Sequence, residues 1–292
     1  MSPVIPGFRY ATIPGHEGIG IKAAVGGSGS PVVLLHGFPQ THLMWRHVAA
    51  GLATAHTVIV PDLRGYGDSG KPPAAAAETY SKRTMASDVV AVAKALGHER
   101  FALIGHDRGA LVAVRAGLDH PDTVTHLGIL DVLPTLDMWE VLHGVDAAVA
   151  WHLYLMAQPA GLPERMITAT ADEFFGSFLS AWGADEAAMS PEIREAYLDA
   201  SRNAVPSIVA DYRASAGIDL EHDRVDRSSG RTLAMPVASI AQDWGGQLGF
   251  DPEALWRVWA PDFEFTPVTA GHFMAESHPQ EVIAFVRRLL KR

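Results

Sequence analysis

The chain has 292 residues, 48% of them apolar, enough to fill one large domain or a core with an insertion, which argues against disorder. Lysine and arginine number 23 against 33 aspartates and glutamates, a formal charge of −10 that argues against nucleic acid or an anionic membrane as a partner. Cysteine is absent, which excludes a disulfide framework and a thiol nucleophile; no apolar run approaches ~18 residues and Met1 to Arg9 carries no leader pattern, so a water-soluble, cytoplasmic protein is expected.

From the amino terminus, Phe8 to Ile13 and Gly18 to Ala24 read as a hairpin around Pro14 and Gly15, and Pro31 to Leu35 as a buried strand ending at His36. Thr41 to Ala55 has helical spacing, and Thr57 to Val60 is another buried strand. The alternation continues through Thr84 to Leu96 (helix), Phe101 to Ile104 (strand), Ala110 to Leu118 (helix) and Val124 to Leu130 (strand). Such an order predicts a mostly parallel, doubly wound α/β sheet with both faces covered. It then breaks. From Pro134 to about Arg231 several helical stretches rich in Trp, Leu, Met and Ala read as a helical cap, so residues 1–133 and 232–292 are assigned to the core and 134–231 to the cap. The cap's exit, Glu221 to Arg231, is polar and reads as a return loop. Core elements resume with Pro236 to Ala241 (strand), Pro252 to Trp259 (helix), Phe263 to Thr269 (strand) and Gln280 to Leu290 (helix). Pro72 to Glu78 is a low-complexity surface loop.

The chemistry is concentrated after the strands. Gly105, His106, Asp107, Arg108 and Gly109 follow an apolar run and lead into a helix, a G-x-nucleophile-x-G pattern similar to the nucleophile elbow of the α/β-hydrolase fold. A carboxylate stands where serine is usual. Asp107 suits attack on a saturated carbon bearing a leaving group, because the resulting ester can be opened by water. Dehalogenation and epoxide opening are the candidate reactions. His36-Gly37-Phe38-Pro39 is a turn directly after a strand, and the backbone N–H groups of Phe38 and Arg108 are assigned to an oxyanion hole. The turn from Pro61 to Ser69 reads as scaffold, with Asp68 holding a loop. Opening an ester requires a base and an acidic partner to orient it. Of fourteen histidines, His272 in Ala270-Gly271-His272-Phe273 is the best base. Asp131 and Asp243 are candidates for the acid; Asp131 is preferred because it sits in an apolar run, where an unpaired carboxylate is costly.

Together with Trp151-His152 and Asp211-Tyr212-Arg213, these motifs make nearly the whole chain resemble the fluoroacetate (haloacetate) dehalogenases. The resemblance implies Asp107 as nucleophile, Asp131 and His272 as acid and base, Arg108 as clamp for a substrate carboxylate, and His152 and Tyr212 as donors to the departing halide. Two positions depart from the family pattern. Leu111 stands one helical turn after the nucleophile where a second arginine is expected, and Leu153 stands where a tryptophan would follow the cap histidine. A charge-assisted hydrogen bond contributes about 1.5–3 kcal/mol, so a missing arginine weakens the carboxylate hold by roughly ten- to a hundredfold. A small-haloacid dehalogenase with reduced C–F cleavage is therefore expected, with Trp151 or Tyr154 as substitutes for the missing donor. An epoxide hydrolase using Tyr212 and Tyr154 is the main rival, favoured by the apolar Leu111 and Leu153. A non-catalytic binding protein would have no need of Asp107, Asp131 and His272 together. No metal or organic cofactor is implied: the histidines are scattered and no phosphate loop follows the first strand. Water is the second substrate. The nearly all-apolar stretch Ala148 to Ala157 must bury in the pocket, the core or a partner, which leaves a homodimer open.

Overall fold

The computed structural model describes residues 4–183, 188–243, 246 and 248–292, with the backbone alone for 146 and 147. Eight strands, β1 (Arg9–Pro14), β2 (Gly20–Gly27), β3 (Ser30–Leu35), β4 (His56–Pro61), β5 (Phe101–His106), β6 (Val124–Leu130), β7 (Val237–Ala241) and β8 (Phe263–Pro267), form one sheet in the order β1-β2-β4-β3-β5-β6-β7-β8. Only the pairings of β2 with β1 and with β4 are antiparallel; β4, β3, β5, β6, β7 and β8 run parallel. The expected hairpin and doubly wound order are both present.

Alternation along the strands divides the core into two halves. Val33 and Leu35 face one side with Leu103, Leu127 and Ile129, packed by α2 (Lys82–Ala95) and α3 (Arg108–Asp119). Val32 and Leu34 face the other with Val58, Val60 and Ile104, packed by α1 (Arg46–Leu52) and the closing helix, Pro279–Leu289. Burial on both faces explains why these strands read as continuous apolar runs.

Between β6 and β7 the chain forms α4 (Thr135–Val141), α5 (Trp151–Met156), α6 (Leu162–Ala169), α7 (Ala171–Ala181), α8 (Pro191–Arg202), α9 (Val205–Ser215) and α10 (Ile218–Ser228). The last corrects the sequence reading, since most of the expected return loop is helical. Its polar residues face partners: Asp219 lies 3.7 Å from Lys82 of α2, while Asp223 and Asp226 each sit 2.5 Å from Arg115 of α3. A polar face buried by ion pairs leaves no apolar stripe from which to recognise a helix. Beyond β7, α11 (Pro252–Trp259), α12 (Met274–Ser277) and α13 (Pro279–Leu289) complete the chain. The carboxyl ends of β3, β5 and β6 and the loop after β8 meet beneath the inserted helices, the usual place for a site in an open α/β sheet.

Candidate active site

β5 ends at His106 and α3 begins at Arg108, leaving Asp107 alone in the bend with φ 49° and ψ −120°. A non-glycine residue in this region is strained and is held there only by its surroundings. Two glycines make the bend geometrically feasible. A Cβ on Gly109 would stand 2.3 Å from the His36 carbonyl oxygen, and one on Gly37 would stand 2.5 Å from the Asp107 Cβ. The elbow and the turn after β3 can therefore approach only because both positions lack side chains.

That approach orients the carboxylate. The Phe38 N–H donates to Asp107 Oδ1 at 2.7 Å, and Oδ2 lies 3.9 Å from His272 Nε2. On the other edge of the ring, His272 Nδ1 is 2.6 Å from Asp131 Oδ2. Asp131 also accepts from the Gln242 backbone N–H at 2.9 Å and from its side-chain amide at 2.8 Å. Burial alone would raise the Asp131 pKa, but the hydrogen bond and charge of His272, with the Gln242 donors, hold it below the ordinary carboxylate range. Burial likewise disfavours the His272 cation, yet the bond to Asp131 and the charges of Asp131 and Asp107 outweigh it, so the imidazole titrates above its usual value. Asp243, the rival acid, is instead exposed, where its carboxylate caps the Gly246 N–H at 2.9 Å.

The loop carrying His272 is fixed from both sides. Its backbone N–H donates to the Trp182 carbonyl at 2.8 Å, and its carbonyl oxygen is 2.9 Å from His106 Nε2. Burial, then the neighbouring His272 charge, drives the His106 pKa down to about 3, so its ring is neutral and donates from Nε2 to that carbonyl. The scaffold carboxylate in the turn after β4 is Asp62 rather than Asp68. Asp62 accepts from the His42 backbone N–H at 2.9 Å and from the Asp68 N–H at 3.0 Å.

Asp107, Arg108, Leu111, Asp131, His152, Leu153, Tyr212 and His272 line one cavity of about 110 Å³. Trp182 also lines it, packed at 5.0 Å between ring centroids against His152 and 5.1 Å against His272; sequence reasoning missed it because an aromatic ending an apolar helix reads as core. Burial, then the Asp107 charge, pushes the Tyr212 hydroxyl well above its usual pKa, so it stays protonated, and Oη has no hydrogen-bond partner among the described residues. His152 is held neutral by burial, its pKa lowered to about 3.

Arg108 lines the cavity, with its Nε and Nη2 bound to the Asp211 carboxylate at 2.9 and 3.0 Å and its guanidinium 4.1 Å from the Tyr212 ring centroid. Two placements correct the sequence reading. Trp151 is 47% exposed and stacks on Phe178 outside the cavity. Tyr154 is 41% exposed, and its hydroxyl is committed to the Leu142 carbonyl at 2.7 Å. Neither replaces the missing donor, because the turn of α5 that points His152 and Leu153 inward points these two out.

The model of the alpha/beta hydrolase fold family matches residues 30–192. A fluoroacetate dehalogenase from Burkholderia sp is 40% identical over 275 residues, 92% of this chain and 90% of that protein. A soluble epoxide hydrolase from Corynebacterium sp. (strain C12) is 33% identical over 266 residues, 88% of each chain. Among solved structures, ALR0039 from Nostoc sp PCC 7120, provisionally described as an alpha/beta hydrolase, superposes with a TM-score of 0.91 at 37% identity, covering 98% of this chain and 99% of that one.

Proposed function

Because the chain belongs to the alpha/beta hydrolase fold family and is a relative of fluoroacetate dehalogenase along most of its length, we propose that it is a hydrolytic dehalogenase working through an ester on Asp107. The observation that carries this reading is the division of labour between the two Asp107 oxygens: Oδ1 is held by the Phe38 N–H, while Oδ2 faces His272.

In the first step Oδ2 attacks the halogen-bearing carbon; a C–O bond forms as the C–halogen bond breaks, and halide leaves with the bonding electrons. The Tyr212 hydroxyl and the His152 ring lie in the same cavity and serve as donors to the departing halide. In the second step neutral His272 takes a proton from water at Nε2, and the oxygen adds to the Asp107 carboxyl carbon. Negative charge then develops on Oδ1, where the Phe38 N–H already stands and the Arg108 N–H is the second donor. Collapse releases the alcohol, restores Asp107 and leaves a proton on His272, which Asp131 stabilises. The family resemblance makes a 2-haloacid the reference substrate, and C–F cleavage is slower than C–Cl cleavage because Leu153 supplies no indole donor to fluoride.

Isotope labelling in a single turnover tests the pathway. With enzyme in excess over a brominated substrate in water enriched in oxygen-18, the label enters Asp107, and the alcohol carries ordinary oxygen. Label in the alcohol instead indicates direct attack by water and rejects the ester. A second reading, epoxide opening, is favoured by the protonated, unpartnered Tyr212 hydroxyl, which suits protonation of a ring oxygen, and by the epoxide hydrolase relative. Diol formation from styrene oxide measured against halide release separates the two.

A further inference from the structure

Outside the cavity that Asp107 lines, one buried carboxylate joins four segments of the chain. Glu276 lies on α12, four residues beyond His272. Its Oε1 accepts from the Tyr197 hydroxyl of α8 at 2.5 Å and from the Gln40 side-chain amide at 3.1 Å, and its Oε2 accepts from Arg46 at the start of α1. Gln40 closes the turn that carries Phe38, since its backbone N–H donates to the Gly37 carbonyl at 3.0 Å. One turn along α8 from Tyr197, Ser201 Oγ donates to the Pro39 carbonyl of that same turn at 3.2 Å. None of Gln40, Arg46, Tyr197, Ser201 and Glu276 lines the cavity, so none is placed to touch substrate.

The Gln40 amide is a costly choice for packing alone. It is 1% exposed, and its Oε1 has no hydrogen-bond partner among the described residues, a desolvated acceptor that an apolar side chain of the same volume would avoid. What the amide supplies is a bond across 236 residues of sequence, between the turn that positions the Phe38 N–H and the segment that carries His272. Those two groups act on the same carboxyl in the proposed reaction, but not in the same step. Attack by Oδ2 uses only the hold of Phe38 on Asp107. Hydrolysis of the ester also needs His272 to aim water at the carbon whose Oδ1 the Phe38 N–H stabilises, so it depends on how the two turns sit relative to each other.

From this arrangement we infer that Glu276 is a positioning residue for the second chemical step: through Gln40 it fixes the oxyanion donor relative to the base, and through Tyr197 it ties both to the inserted helices. This inference rests on the ester pathway above and adds to it a group that touches neither water nor substrate.

The test compares the two steps in Gln40→Met, which removes the link, nearly keeps the side-chain volume and leaves the Tyr197 and Arg46 bonds in place. Rapid mixing with bromoacetate reads bromide for the first step and glycolate for the second. Glycolate release should fall by roughly ten- to a hundredfold, the scale of a reacting group displaced by up to about 1 Å, while first-turnover bromide release changes less than about twofold, so that the ester accumulates and adds mass to Asp107. Gln40→Asn, whose amide is one carbon short of Glu276, serves the same comparison if Gln40→Met does not fold. Glu276→Gln is the conservative control. It keeps an oxygen for Gln40 and Tyr197 but loses the ion pair with Arg46, so melting temperature should fall while the ratio of the two rates stays near that of wild type. Equal losses in both steps, no loss in either, or a Glu276→Gln ratio that follows its lost stability overturns the positioning role and leaves the ester pathway standing. A His272→Asn variant keeps the two ideas distinguishable, since it should accumulate the ester. If wild type releases no bromide and this variant gains no mass on Asp107, both the inference and the ester pathway are overturned.

Discussion

Gly37 has no room for even one methyl group, because a Cβ there would fall 2.5 Å from the Asp107 Cβ and 2.6 Å from Oδ1. Gly37→Ala must therefore push the carboxylate away from the Phe38 N–H. The expected outcome is a loss of about a hundredfold or more in kcat, of the size seen when one oxyanion donor is removed, with an unchanged far-ultraviolet circular dichroism spectrum. His272 gives a second prediction. Its proposed role requires the neutral ring, so hydrolysis of the ester should stop at low pH and recover as pH rises through the imidazole pKa. In the free enzyme that pKa is raised, first against burial by the bond to Asp131 and then by the charges of Asp131 and Asp107. Esterification removes the Asp107 charge. The midpoint of the deacylation rate should consequently lie at lower pH than the midpoint for His272 of the free protein followed by NMR; coincident midpoints would mean Asp107 is not esterified. Asp107, Asp131 and His272 were legible in the sequence because each follows a strand at a fixed place in the alternation. The commitment of Arg108 was not, since its partner Asp211 lies 103 residues further on and no local pattern announces the pairing.

At the scale of elements, α9 and α10 are joined to α2 and α3 by buried charge: Asp211 to Arg108 and Lys82, and Asp223 and Asp226 to Arg115. Breaking such a pair on one side leaves an uncompensated buried ion. Asp211→Asn, which strands Arg108 and Lys82, should destabilise the fold by about 3–5 kcal/mol in a denaturant titration. The same seam has a signed pH dependence. Burial acts to raise the Asp211 pKa, but Arg108 and Lys82 hold it well below the ordinary carboxylate value of 3.8. A carboxylate depressed in this way contributes stability that is complete above its unfolded pKa and is lost as pH falls through the folded one. Melting temperature should thus show no Asp211-dependent loss between pH 7 and about 5, and the wild-type advantage over Asp211→Asn should shrink only below about pH 4. The core helices are readable from apolar periodicity, whereas most of α10 reads as a loop because its segment carries Asp219, Glu221, Asp223, Asp226 and Arg227 with little apolar content.

Across the whole molecule, the sheet order follows from the strand–helix alternation, and both halves of the core can be traced to strands that alternate between two buried faces. What the alternation does not encode is how the helices between β6 and β7 sit on the sheet, because their contacts with Phe38, His272 and Arg108 are made by residues distant in sequence. One of those contacts has a kinetic consequence. The base is held by a backbone bond from His272 to the Trp182 carbonyl, whereas Asp107 is held by the turn after β3. In the proposed reaction, a molecule whose inserted helices loosen would keep the group that attacks and lose the alignment of the group that releases. Heat or denaturant near the transition would then not slow such an enzyme evenly. It would be alkylated once and stop, so inactivation in the presence of substrate would outpace inactivation in its absence, with every dead molecule carrying its last substrate.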